Sequence, residues 1–190
     1  MMSLHGPDGG RKYLTADERR AFLAAADRAP RDVRAFCHLL AWTGCRISEA
    51  LALTPERVDV AGAAITFESL RKRRRGMFRA VPIPPALATM LDLVFGLRER
   101  RGAAKRELLW PWSRATAWRR VKEVLSAAGI AGLHASPKGL RHGLGVNAVG
   151  QGVPLNLVQR WLGHAQLSTT AVYAEAVGEE ERAIAARMWR

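Results

Sequence analysis

Between Arg57 and Ile83 the hydrophobic period of this chain drops from helical spacing to near alternation, and after Pro84-Pro85 it returns to helical spacing. Arg57-Val-Asp-Val60, Ala64-Ile-Thr-Phe67 and Phe78-Arg-Ala-Val-Pro-Ile83 are short and β-prone. Ala61-Gly62 can turn between the first two, and the basic stretch Arg71 to Gly76 joins the second to the third. The expectation is a mainly α chain with a small three-stranded antiparallel β-sheet (α+β), its second turn carrying positive charge.

The flanking segments read as helices with legible ends. Thr15-Ala-Asp-Glu18 is a capping box, so a helix is expected to about Arg28. Pro30 suits the first turn of a second helix with the apolar stripe Val33, Phe36, Cys37, Leu40 and Ala41, stopped by Gly44. A short helix from Ile47 to Leu53 ends before Pro55. Helical spacing then covers about 86–100, 113–128, 136–150, 154–162, 166–174 and 179–189, with the acidic trio Glu179, Glu180 and Glu181 at the N-terminal end of the last. Residues 1–13 begin MMSLHGPDGG and are expected to form a flexible leader, with one domain over 14–190.

Length and composition bound the class. The 190 residues suit one compact domain, and an apolar fraction of 48% is ample for a core. The longest nearly apolar run, Ala86 to Leu97, contains Asp92 and is too short to span a bilayer. No secretory leader is evident, and Cys37 and Cys45 make no disulfide framework, so a reduced cytoplasmic setting is expected. The formal charge is +13, and residues 61–120 hold a net +10 of it, against +1 before and +2 after. Concentrated Lys and Arg favour a phosphate-rich polyanion, because they displace condensed counterions. A solvated basic loop is the plainer alternative.

Several chemistries find no support. The five histidines and two cysteines have no zinc spacing, and there is no phosphate-binding or dinucleotide-binding glycine loop. No carboxylate cluster looks suited to a pair of magnesium ions. Phosphodiester chemistry would fall to cationic side chains, with no cofactor and no metal. Arg46, in Thr43-Gly-Cys-Arg-Ile-Ser-Glu49, follows a helix stop and opens a helix, where phosphate is well received. Lys138 and Arg141, in Lys138-Gly-Leu-Arg-His142, share one helix face. His164 follows Leu162-Gly163, and Tyr173 stands nine residues later in Ser168-Thr-Thr-Ala-Val-Tyr173. Taken singly each has a plain reading: Arg46 paired with Glu49 or Glu56, Lys138 and Arg141 on a solvated face, His164 and Tyr173 as packing residues.

Taken together, the order and spacing resemble the tyrosine recombinase (phage integrase) family over roughly Leu14 to Val177. Thr43 to Glu49, Gly139-Leu-Arg-His142, Leu162-Gly-His164 and Thr169-Thr-Ala-Val-Tyr173 all look like that family's boxes. The resemblance implies site-specific recombination of double-stranded DNA, with Arg46 and Arg141 clamping the scissile phosphate and Tyr173 as the nucleophile that forms a 3′-phosphotyrosine. It implies that His164 binds the phosphate. A lysine in the turn after the second strand would protonate the leaving 5′-oxygen. Lys72 is the choice for that role, although Arg71 can occupy the place. The helix box usually opens with His, and here that place holds Lys138, a poorer base for the tyrosine proton. Arg71, Arg73, Arg74, Arg75, Arg79 and His142 are read as DNA contacts.

The resemblance further implies a homo-tetramer on paired DNA sites. The last helix, with Ala183, Ile184, Ala186, Met188 and Trp189, would dock on a neighbour, with packing on its own domain as the plainer alternative, in a cytoplasmic, nucleoid-associated protein without membrane contact. Family members usually carry an N-terminal helical core-binding domain of about a hundred residues, and a short form without it is expected, since Thr15 already begins the catalytic domain. The alternatives are a non-catalytic DNA-binding remnant of the fold and a type IB topoisomerase.

Overall fold

The computed structural model describes residues 3–69 and 76–175. Most of these are helical, and one three-stranded antiparallel sheet interrupts the helices. Helix α1 (Ala16–Ala26) starts at the capping box: Glu18 N–H donates to Thr15 Oγ1 at 3.2 Å, and Thr15 N–H donates to Glu18 Oε2 at 2.9 Å. Helix α2 (Arg31–Thr43) buries Val33, Phe36, Cys37, Leu40 and Ala41, the stripe read from the sequence, together with Ala35, Leu39 and Thr43. It packs against α1, α4 (Pro85–Phe95), α5 (Arg114–Ala127) and α6 (Pro137–Gly150), so its apolar faces form the centre of the core. Trp110 closes one side of that core, edge-on to Phe36 and Phe95, with its indole N–H donating to Asp32 O at 2.9 Å.

Strands β1 (Val58–Asp59), β2 (Ala64–Glu68) and β3 (Phe78–Pro82) lie in sequence order. The register sets Ile65 opposite Val81 and Phe67 opposite Arg79. Directly opposed residues share a sheet face, and the buried Ile65, Phe67 and Val81 identify that face as the inner one. Arg79 therefore belongs to the inner face, and its side chain is only 8% exposed.

The elements expected from helical spacing form with shorter ends. Gly96 closes α4 in the left-handed conformation, φ 61°, so the helix stops well before residue 100. Helix α3 (Ile47–Leu51) is a single turn and a half, and the segment expected at 166–174 divides into α8 (Ser168–Ala171) and a 3₁₀ turn, Val172–Glu175. Helix α7 (Leu155–Leu162) ends at Gly163. The helix expected at 179–189 lies outside the described residues.

The expected flexible leader is where the structure departs most. Residues 4–12 form a small hairpin, with a bridge between His5 and Arg11 and a bond from Lys12 N–H to Leu4 O at 2.8 Å. Leu4 is 3% exposed, packed in a second apolar cluster with Val146, Val158, Leu162, Val172 and Tyr173. Arg11 secures the hairpin to α1 through Glu18, whose carboxyl is pulled down to about 2 by that hydrogen bond, against burial and alongside the Thr15 amide. The apolar Leu4 side chain, set among polar neighbours, is what draws the segment onto the domain.

Replacing Leu4 by Ala is expected to lower unfolding stability by about 2 kcal/mol, the low end for an aliphatic core truncation. Denaturant unfolding measures it, and an unchanged midpoint would show that residues 3–13 do not pack.

Candidate active site

Four separate stretches of chain converge on one cleft of about 490 Å³, lined by Cys45, Arg46, Ile47, Ser48, Arg114, Trp118, Ser136, Pro137, Lys138, Arg141, His142, His164 and Thr169. The turn from α2 into α3 delivers Arg46. Gly44 ends α2 with φ 58°, and a Cβ there would meet the Leu162 and Leu144 side chains at 2.7 and 2.8 Å, so only glycine makes this turn against α6 and α7. The chain then extends at Arg46, the N-cap of α3.

Arg46 is held by a carboxylate. Glu49 Oε1 accepts from Arg46 Nη1 at 2.7 Å, and Oε2 accepts from the Arg46 backbone N–H at 2.9 Å. The same carboxylate accepts from Arg79 Nη2 at 2.7 Å, while Arg79 Nε donates to Trp161 O at 2.8 Å. Glu49 is 3% exposed. Burial alone would raise its carboxyl, but the Arg79 bond and charge, with the Arg46 amide and charge, outweigh burial and hold it below its ordinary value. One carboxylate thus joins α3, β3 and the end of α7.

The N-terminal end of α6 supplies three more residues. Ser136 Oγ accepts from Gly139 N–H at 3.1 Å, and Pro137 occupies the first turn. Lys138 is exposed at the cleft. Arg141, one turn on, is buried at 8% exposure, and donates through Nη1 to Gly44 O at 2.7 Å and through Nη2 to Leu162 O at 2.6 Å. These carbonyls belong to the ends of α2 and α7, which an arginine can satisfy. Burial first, then the charge of Arg46, pull Arg141 down to about 10, which leaves it a cation at neutral pH.

His142 and His164 flank Tyr173. His164 Nδ1 lies 2.9 Å from Thr170 Oγ1, and its ring stacks on Tyr173 with centroids 6.0 Å apart. The Tyr173 hydroxyl lies 3.1 Å from His142 Nδ1. Burial pushes the phenol up to about 12, opposed by the charges of Arg141 and Arg46. Burial, then Lys138, Arg141 and Lys12, push His142 down to about 4. The phenol ring rests directly on α6 at Gly145, where a Cβ would lie 2.4 Å from it.

The residues expected from the sequence fall into three groups. Arg46, Lys138, Arg141, His142 and His164 line the cleft, and Tyr173 stands behind His142, 1% exposed. Arg79, expected to contact DNA, instead faces inward onto Glu49, because it shares the inner sheet face with Val81 and Phe67. Lys72, Arg71, Arg73, Arg74 and Arg75 lie outside the described residues. Sequence reading missed Gly145, Thr170, Arg114 and Trp118. It had Glu49 only as a plain partner for Arg46. Among the described residues, no three His, Cys, Asp or Glu side chains cluster as metal ligands.

Replacing Glu49 by Gln is expected to cost about 3 kcal/mol at neutral pH, since it leaves buried guanidinium charge unpaired. The wild-type advantage is present above the ordinary carboxyl value of 4.5 and is lost as pH falls through the lowered folded value. Denaturant unfolding of both proteins across that acid range checks the sign, and equal stability at neutral pH would remove Glu49 from this role.

Comparison with known proteins identifies the family and the fold. The phage integrase family model matches residues 12–180. Tyrosine recombinase XerD of Neisseria meningitidis is 32% identical over 176 residues, covering 84% of this chain and 57% of the relative. The crystal structure of XerA recombinase superposes with a TM-score of 0.77 at 23% identity, over 93% of this chain and 64% of that one. XerH site-specific recombinase bound to its difH substrate before cleavage gives a TM-score of 0.74 at 21% identity, over 98% and 60%. The chain thus spans less than two thirds of these relatives' lengths, within the part that carries this fold. On the family model, which spans most of its residues, the chain belongs to the phage integrase family.

Proposed function

We propose that this chain performs site-specific DNA recombination, cutting and rejoining DNA strands through a 3′-phosphotyrosine at Tyr173. The observation that carries this reading is the meeting of Arg46, Arg141, His142 and His164 in one cleft with Tyr173 against its wall. Two guanidiniums suit a phosphodiester: each offers planar, charge-assisted donors and keeps its proton. Arg46 and Arg141 bind the non-bridging oxygens and stabilise the more negative transition state. Both are already anchored, Arg46 by Glu49 and Arg141 by two carbonyls, so little reorganisation accompanies charge development.

Tyr173 attacks phosphorus, and the bond energy kept in the covalent link allows rejoining without a high-energy cofactor. His164, oriented by Thr170, donates to the phosphate. Lys72 protonates the leaving 5′-oxygen, or Arg71 occupies that place. Arg73, Arg74 and Arg75 contact the DNA backbone, and exposed Lys138 adds a donor at the cleft mouth. Two chemically equivalent DNA sites call for a homo-tetramer with the C-terminal segment exchanged between neighbours, in a cytoplasmic, nucleoid-associated protein. XerH bound to difH supplies the precedent for DNA as the substrate class.

The test uses a pool of nicked duplexes that trap the covalent step. Wild type is expected to yield a protein–DNA adduct in EDTA, and Tyr173→Phe none. Arg46→Ala or Arg141→Ala should slow adduct formation by about 10²- to 10³-fold while weakening DNA binding far less. Equal loss of binding and chemistry would count against the clamp. DNA binding without any wild-type adduct would establish the non-catalytic remnant instead.

A further inference from the structure

Tyr173 is buried at 1% exposure, so its phenolic proton cannot pass directly to bulk water when the oxygen attacks phosphorus. A lone pair within reach must take it. Lys138 occupies the place where the resemblance puts a base, but it is exposed, and an ammonium has no lone pair. The nitrogen that meets the hydroxyl is His142 Nδ1, at 3.1 Å. His142 also lines the cleft that holds Arg46 and Arg141, and its Nε2 is buried with no hydrogen-bond partner among the described residues. A buried, unpartnered ring nitrogen is uncommon enough to ask for a ligand.

We propose that His142 is a catalytic residue, taking the Tyr173 proton on Nδ1 while its Nε2–H donates to an oxygen of the bound phosphate. The inference rests on the recombinase reading above. Two properties of the site favour it. Burial and the cations Lys138, Arg141 and Lys12 keep the imidazole neutral in the free protein, so one ring nitrogen keeps a lone pair, and with the proton on Nε2 facing the phosphate that nitrogen is Nδ1. A phosphate accepting from Nε2–H then raises the basicity of Nδ1, as a carboxylate does for a histidine in a hydrolase triad. Proton acceptance is thereby coupled to DNA arrival. In the empty site the phenol stays protonated, because Tyr173 is itself pushed up to about 12.

The step balances without a further reactant. The Oη–H bond breaks to Nδ1 as Oη–P forms, the P–O5′ bond breaks, and the 5′-oxygen takes its proton from the general acid already assigned. His142 ends as an imidazolium beside the anionic phosphate, where the added charge is compensated. Rejoining reverses each transfer: the 5′-hydroxyl attacks, and Nδ1 returns the proton to Tyr173. The groups facing His142 are Lys138 and Arg141 on its own helix, Lys12 from the N-terminal hairpin, and Tyr173, on which His164 stacks from the turn after α7.

The test is single-turnover adduct formation on the nicked duplex recovered with wild type, followed from neutral to acid pH. His142→Asn keeps a polar atom near the Nδ1 position, but its amide is not basic and cannot accept the Tyr173 proton. It is expected to form adduct at least about 100-fold more slowly, with DNA affinity largely kept. Its rate should also lose the fall toward acid pH that protonation of His142 imposes on wild type. Independently of any variant, ¹⁵N spectra of wild-type His142 should show the proton on Nε2 and none on Nδ1. A wild-type rate or an intact acid fall in His142→Asn, or a proton on Nδ1, overturns the proposal while leaving the recombinase reading in place. Absence of adduct with wild type itself overturns both.

Discussion

One buried carboxylate holds the site in register. Glu49 is almost wholly removed from water and receives Arg46 on one side and Arg79 on the other, while Arg79 reaches the carbonyl of Trp161. A charge so placed is costly unless every lone pair is met. The lowered Glu49 carboxyl shows that the partners outweigh the desolvation. The consequence is mechanical. The Arg46 guanidinium, at the N-cap of a helix of only five residues, would otherwise be free to swing, and instead it is fixed through Glu49 and Arg79 to the sheet and to the end of α7.

Arg141 is fixed by a different device with the same effect. It donates to the carbonyls of Gly44 and Leu162, which end α2 and α7. Removing the guanidinium would leave buried acceptors unmet, so part of its value is structural. The two arginines share the cleft because the helix ends that Arg141 caps also deliver Arg46 and His164. One turn further along α6, Gly145 lets the Tyr173 ring lie against the helix backbone. Tyr173 therefore rests on the helix that carries Arg141 and His142, with its hydroxyl 3.1 Å from the His142 ring.

Much of this was legible in the residues themselves. Thr15 and Glu18 announced α1, and Gly44 and Gly163 marked the stops that precede Arg46 and His164. The spacing of Arg46, Arg141, His164 and Tyr173 carried the family resemblance that the family match sustains. Arg79 was misjudged although its signal was present: alternation along β3 sets it on the face of buried Val81, where a cation must find an anion. Leu4 was also readable in principle as an apolar side chain in a polar stretch. What it would pack on was not, because Val146, Val158 and Val172 lie more than a hundred residues away in the chain. His142 was read as a DNA contact, and nothing local indicates that its ring meets a hydroxyl 31 residues on.

By itself, the sequence determined the alternation of helices and sheet, the helix ends near the site, and the motif spacing that marks the family. These follow from caps, periodicity and spacing, which act over a few residues. Only the tertiary structure decided which arginine faces the cleft and which is spent on Glu49, and which histidine touches the phenol. It also decided that the tyrosine is stored buried and protonated. Those outcomes depend on burial and on partners brought together from distant segments. A side chain's charge state and direction are set by the field and the space around it, and both exist only once the helices have packed.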